Sequence, residues 1–124
     1  MKSRLKKLLR TRPVRKLIGW GFGHMDFLLP VERLRETPHL LAFHHPRPAY
    51  PFHVVIVPRE EVASFVDLDP ADPFLADLVS VTQSLVAEFH LPAYRLVVNG
   101  GEYQDFPHLH FHLVSGDASG GKRS

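Results

Sequence analysis

The stretch His108-Leu109-His110-Phe111-His112-Leu113-Val114 alternates an imidazole with an apolar side chain through its first six residues. Successive side chains of a strand point to opposite faces of its sheet. The pattern therefore predicts a strand over 108–114 with His108, His110 and His112 on one face. Leu109, Phe111 and Leu113 are then turned together against a core. Three imidazoles in a row are costly to bury for packing alone, so the alternative to a chemical role is a row that merely decorates an exposed face.

Two chemistries use such a row. Neutral imidazole is the commonest metal ligand, and three histidines can hold zinc, or iron if Glu102 or Asp105 joins them. An imidazole can instead attack an electrophile while its neighbours hold its tautomer and pass protons. The spacing alone admits both. The loop just upstream favours the second, because Asn99-Gly100-Gly101 and Gln104 offer amide and backbone N–H donors of the kind that hold phosphate.

Outward from the triad, the chain reads as short strands around one helix. Residues 33–36 and 39–44 are strands split by the turn signal Thr37-Pro38. Three prolines stiffen the loop His45-Pro46-Arg47-Pro48-Ala49-Tyr50-Pro51. His53-Val54-Val55-Ile56-Val57 is β-branched and almost unbroken, a buried strand that Pro58 stops. A turn or short helix is expected within 62–68. Residues 72–89 carry Phe74, Leu75, Leu78, Val79, Val81, Leu85, Val86 and Phe89 at helical spacing, with Asp72 and Asp77 early, where the helix dipole favours negative charge. A strand over 94–99 precedes the triad. Strands, one long helix, then strands describe an α+β fold with a mainly antiparallel sheet.

At 124 residues the chain holds one domain, large enough to fold without a metal or disulfide staple. With zero cysteines, a disulfide scaffold, a zinc finger and a thiol nucleophile are excluded. The formal charge of +2 hides a segregation. Eight basic and no acidic side chains fall in residues 1–16, and Lys122 and Arg123 close the chain. Residues 17–121 hold five basic against thirteen acidic groups, a net −8. Residues 1–18 thus read as a basic amphipathic arm, with Leu5, Leu8 and Leu9 at helical spacing and a break at Pro13. Such an arm suits an anionic membrane surface or nucleic acid, or serves only as a solvated extension. It resembles a secretory signal poorly, and no uninterrupted apolar run reaches spanning length. The expected location is the cytoplasm, peripheral to a membrane if the arm docks. Residues 19–116 form the folded body, and 117–124 a flexible Gly/Ser tail.

The stretch 106–114, Phe106-Pro107-His108-Leu109-His110-Phe111-His112-Leu113-Val114, resembles the signature of the histidine triad (HIT) superfamily. The upstream pieces Leu41-Ala42-Phe43-His44, then Pro51-Phe52-His53 through Pro58, then Arg95-Leu96-Val97-Val98-Asn99 match in order. The likeness runs over about 29–116 and is greatest to the Hint-like branch. It implies a HIT-like fold, a five-stranded antiparallel sheet with one long helix, and metal-independent nucleotide phosphate chemistry needing no cofactor. By this resemblance His110 is the nucleophile on an α-phosphorus, forming a nucleotidyl-histidine. His112 and His53 orient imidazoles and contact phosphate oxygens or relay protons, and His108 supports them. Asn99 and Gln104 match phosphate- or ribose-holding positions, and His44 and His45 fall in the nucleotide-binding region. The implied activity is that of a phosphoramidase-like hydrolase. A nucleotidyl transferase, a dinucleoside polyphosphate hydrolase and a non-catalytic nucleotide-binding module docked by the arm are the alternatives. A homodimer paired through the helix and a sheet edge is also implied.

Two positions depart from the pattern. Asp105 stands where many relatives carry Ser or Thr beside the leaving group, so it must turn away, be protonated, or act as a leaving-group acid. His45 stands where relatives usually grip both ribose hydroxyls with Asp, which an imidazole cannot do with two acceptors. The Gly/Ser tail also lacks an aromatic C-terminal segment that some relatives bring to the site.

Overall fold

The computed structural model describes residues 32–118. The basic arm and most of the tail lie outside the described residues. Five strands form one antiparallel sheet in the order β1-β2-β3-β5-β4, with β1 Arg33–Glu36, β2 Leu40–His44, β3 Phe52–Pro58, β4 Arg95–Val98 and β5 Phe111–Ser115. Among the described residues there is one α-helix, α1, spanning Pro73–Glu88 between β3 and β4. Short 3-10 turns occupy Phe65–Asp67 and Gly101–Tyr103.

Helix α1 starts where the sequence marks it. Asp72 is the N-cap, its carboxylate accepting from Phe74 N–H at 2.9 Å, and Pro73 fills the first helical position, where a missing N–H costs nothing. Asp77, expected near the helix start, lies past the first turn, which holds no acidic residue; it accepts from the Thr37 hydroxyl at 2.6 Å and ties the β1–β2 turn to the helix. Arg35 reaches from β1 to the Ser84 hydroxyl and the Glu88 carboxylate near the other end. The helix stripe Phe74, Leu78, Val81 and Leu85 packs on Leu40, Ala42, Val54, Ile56, Leu109, Phe111 and Leu113. At about 1.5–3 kcal/mol for each fully buried large aliphatic or aromatic side chain, this layer supplies most of the driving force. Leu41, Phe43, Val55 and Val57 make a smaller buried cluster on the opposite face of the sheet.

The triad strand begins later than its alternation suggests. The ladder between β3 and β5 runs from Phe52↔Ser115 to Ile56↔Phe111, so His112 lies within it while His108 and His110 precede it. The cause is Pro58. His45 N–H bonds His53 O, which turns the odd residues of β3 toward β2 and the even ones toward β5. Pro58 is the next even position and has no N–H to give. Leu109 N–H bonds Val62 O at 2.8 Å instead, and the chain stays extended enough to keep the alternation.

Candidate active site

Register decides what shares a face with the triad. Val55 on β3 and Val97 on β4 both pair with His112, and His53 pairs with Val114. His53, Val55 and Val57 thus join His108, His110 and His112 on the face away from α1. Asn99 follows directly on the Val98↔Phe111 pair that ends the β4–β5 ladder, and His110 precedes it on the other chain segment. Leu109, Phe111 and Leu113 enter the main core, as the alternation requires.

Hydrogen bonds set the state of each ring. Ala49 N–H donates to His53 Nδ1 at 3.0 Å, so neutral His53 carries its proton on Nε2. That N–H meets His112 Nδ1 at 2.9 Å and places the His112 proton on Nε2. His110 Nδ1 lies 2.8 Å from His108 O, and a carbonyl only accepts, so Nδ1 is the donor and Nε2 keeps its lone pair. The rings of His110 and His112 stand edge to face with centroids 5.1 Å apart. The site therefore pairs an imidazole bearing an open lone pair with one bearing an N–H.

Burial keeps most of these rings neutral. It pushes His53 down to about 4, with the neighbouring His45 adding to the effect. His112 is likewise pushed to about 4 by burial first, then by His110, His53 and His45, while the Asp105 carboxylate acts the other way. His108 is fully buried and its ring N–H donates to Pro58 O at 3.3 Å. Burial lowers it to about 4 against that hydrogen bond, with His110 as a further lowering cause. Among the described residues, no three His, Asp or Glu side chains converge as a metal site requires.

Residues 29–119 match the family model of the HIT domain. The chain belongs to the HIT family. It is 33% identical over 97 residues to a HIT-like protein of Chlamydia pneumoniae, covering 74% of this chain and 87% of that one. A HIT family hydrolase of Legionella pneumophila superposes with TM-score 0.69 at 30% identity, over 77% of this chain and 90% of that one. A histidine triad nucleotide-binding protein of Candida albicans gives TM-score 0.68 at 26% identity, over 77% and 74%.

Within this HIT fold the expected site residues divide. His53, His108, His110, His112 and His45 form one connected group, and His45 stacks on His53 with centroids 4.4 Å apart. Asp105, exposed in the preceding loop, is close enough to act on His112. Asn99 is half-buried and lines a small cavity of about 140 Å³ with Gly100, Gly101 and Ser64. His44 and Gln104 are elsewhere engaged. The His44 ring packs edge-on against Phe52 and Phe89 on the α1 side of the sheet. The buried Gln104 amide donates to Ala63 O at 2.7 Å and to Phe106 O at 2.9 Å, so it braces the loop and offers those N–H groups to no ligand.

The sequence reading missed three contributors, all in or beside turns. Ala49 sets the His53 tautomer through its backbone. Tyr50 stands edge-on to the His53 ring at 5.6 Å. Pro58 contributes its carbonyl to His108. Their shared signal was proline punctuation around His53, which marks stiff backbone without saying where its N–H and C=O groups point.

Proposed function

We propose that this HIT protein hydrolyses nucleotide conjugates at the α-phosphate, nucleoside phosphoramidates above all, through a nucleotidyl adduct on His110. The observation that carries this reading is the pair of ring states: His110 is held with Nδ1–H on a carbonyl and Nε2 open, beside His112 held with N–H on Nε2. The first is a nucleophile with its lone pair available. The second is a fixed donor for a phosphoryl oxygen on which charge develops.

The steps balance without further reactants. His110 Nε2 bonds to phosphorus, and the bond from phosphorus to a protonated phosphoramidate nitrogen breaks, releasing a neutral amine. The adduct is an imidazolium, a good leaving group in turn. Water then bonds to phosphorus, the N–P bond electrons return to His110, and the water's proton passes to solvent. Nucleotide binding by the Candida albicans relative and hydrolase membership of the Legionella pneumophila one agree with this class of substrate. Asp105, close enough to act on His112, would be the acid for a more basic leaving group. The open edge strand β4, with Leu96 exposed, and the exposed Val79 on α1 suit a homodimer. The basic residues 1–18 serve as an arm for an anionic surface in the cytoplasm.

The test is a panel of nucleoside phosphoramidates and dinucleoside polyphosphates, with acid-free quenching and mass spectrometry of the peptide bearing His110. Wild type is expected to turn over the phosphoramidates fastest and to show the adduct; His110→Ala shows neither. Turnover surviving in His110→Ala would overturn the mechanism, and nucleotide binding without any turnover would make the protein a binding module.

A further inference from the structure

The loop between β2 and β3 directs its backbone with unusual economy. Between 45 and 49 only His45, Arg47 and Ala49 own an N–H, because 46 and 48 are prolines. His45 N–H bonds His53 O at 2.8 Å. Arg47 N–H bonds His45 Nδ1 at 2.9 Å, and Ala49 N–H bonds His53 Nδ1 at 3.0 Å. All three donors thus converge on one pair of histidines. The two rings lie 33° from parallel at 4.4 Å, and Tyr50 meets the His53 ring in a T-shaped contact at 5.6 Å. The His45 ring also reaches to 6.1 Å from that of His112. With Nδ1 occupied, His45 has no freedom to change tautomer while neutral.

We propose that His45 is a positioning residue for catalysis: locked on Arg47 N–H and packed face-on against His53 at a tilt of 33°, it holds the His53 ring in the plane where Ala49 N–H can keep its tautomer and so fix the N–H of His112. A ring hydrogen-bonded at both nitrogens still rocks about its χ2 torsion, which is broad for an imidazole. A planar neighbour held by its own hydrogen bond, with the Tyr50 ring as a second contact, restricts that freedom. The Ala49–His53–His112 line then stays straight enough for His112 to keep its donor at one position. Small misplacements of such groups are expensive in rate. This role deepens the phosphoramidate hydrolase reading and rests on it for its rate effect, though not for its geometry.

The test uses the full chain with His45→Ala and His45→Phe. On a nucleoside 5′-phosphoramidate, His45→Ala is expected to lower kcat by about tenfold with KM little changed, and His45→Phe to recover most of that loss by restoring a stacked plane. In parallel, nitrogen NMR of the labelled histidines reads ring tautomers without any substrate. His53 and His112 should be Nε2–H in wild type and His45→Phe, and mixed in His45→Ala. If His45→Ala does not fold, His45→Leu, which fills the space without a plane, takes its place. Wild-type kcat together with wild-type tautomers in the Ala or Leu variant would overturn the proposal, as would a Phe variant no better than Ala or Leu. If wild type has no phosphoramidase activity, the functional reading falls and the tautomer measurement alone decides the role of His45.

Discussion

His108 makes the stability of the fold depend on pH in a way that can be isolated. Its ring is 1% exposed and its pKa is lowered to about 4, chiefly by burial. An unfolded chain holds the same side chain near the ordinary histidine value of about 6.5. Between these values the unfolded state binds a proton that the folded state refuses, so stability rises with pH across the window. The contribution is fully present above about pH 6.5 and is lost progressively as pH falls toward 4. Integrating the two titrations from neutrality down to pH 5 gives a loss of roughly 2 kcal/mol from His108 alone. That is a large part of the 5–15 kcal/mol typical of a domain. Urea denaturation of wild type and His108→Gln at pH 7.5 and at pH 5.0 measures it, because Gln keeps an N–H donor for Pro58 O and does not titrate. His53 and His112 also resist protonation, but they are common to both proteins and cancel in the difference. The variant is expected to lose about 2 kcal/mol less than wild type on acidification. Equal losses, within about 0.5 kcal/mol, would show that burial of His108 does not govern this titration.

Other perturbations test other contacts. Asp105→Asn removes the carboxylate that favours charged His112, so the His112 midpoint in an NMR titration should fall below its wild-type position of about 4; a midpoint that stays or rises would show that Asp105 does not act on the ring. If the same variant keeps both the hydrolysis rate and its pH profile, Asp105 is not the leaving-group acid. Gln104→Ala strands Ala63 O, whose bond from the amide is buried, and should cost about 1–3 kcal/mol in urea denaturation. Gly116→Ala is disfavoured twice, by a φ of +91° and by a Cβ that would sit 2.8 Å from the Pro51 ring. A melting temperature unchanged in Gly116→Ala would mean that the loop before His53 yields easily. Deleting residues 1–18 should leave hydrolysis intact and abolish binding to anionic vesicles; lost hydrolysis would make the arm part of the site.

The main core and the shared face of the three imidazoles were legible because one period-two pattern labels both sides of the extended segment 108–113 at once: imidazoles on one side, Leu109, Phe111 and Leu113 on the other. The apolar stripe over 72–89 likewise located the helix, which runs Pro73–Glu88 behind the Asp72 N-cap. His44 was not legible. Leu40, Leu41, Ala42 and Phe43 are apolar on both faces, so alternation along β2 says that His44 and His45 part company without saying which goes to the triad. Gln104 failed for a different reason. A long amide has reach in several directions, and its choice of Ala63 O and Phe106 O depends on how the 62–64 segment runs beside the loop. The shortened ladder at His108 needed the hydrogen-bonding parity of Pro58, which follows only once β3 and β5 are known neighbours.

The strict alternation of 108–113 also ties the placement of the imidazoles to the fate of the fold. A slip of one residue against β3 would send His110 and His112 into the apolar layer under α1 and expose Leu109, Phe111 and Leu113. At about 2 kcal/mol for each apolar side chain lost from the interior, and more for each imidazole gained, the misregistered chain forfeits roughly 6 kcal/mol or more, comparable to the whole stability of a small domain. The molecule therefore has no well-folded, catalytically scrambled state in which to accumulate. Any chain that survives quality control in a cell has, by that fact, kept His110 and His112 on the face away from α1, and insertions or deletions near the triad should surface as missing protein before they surface as altered protein.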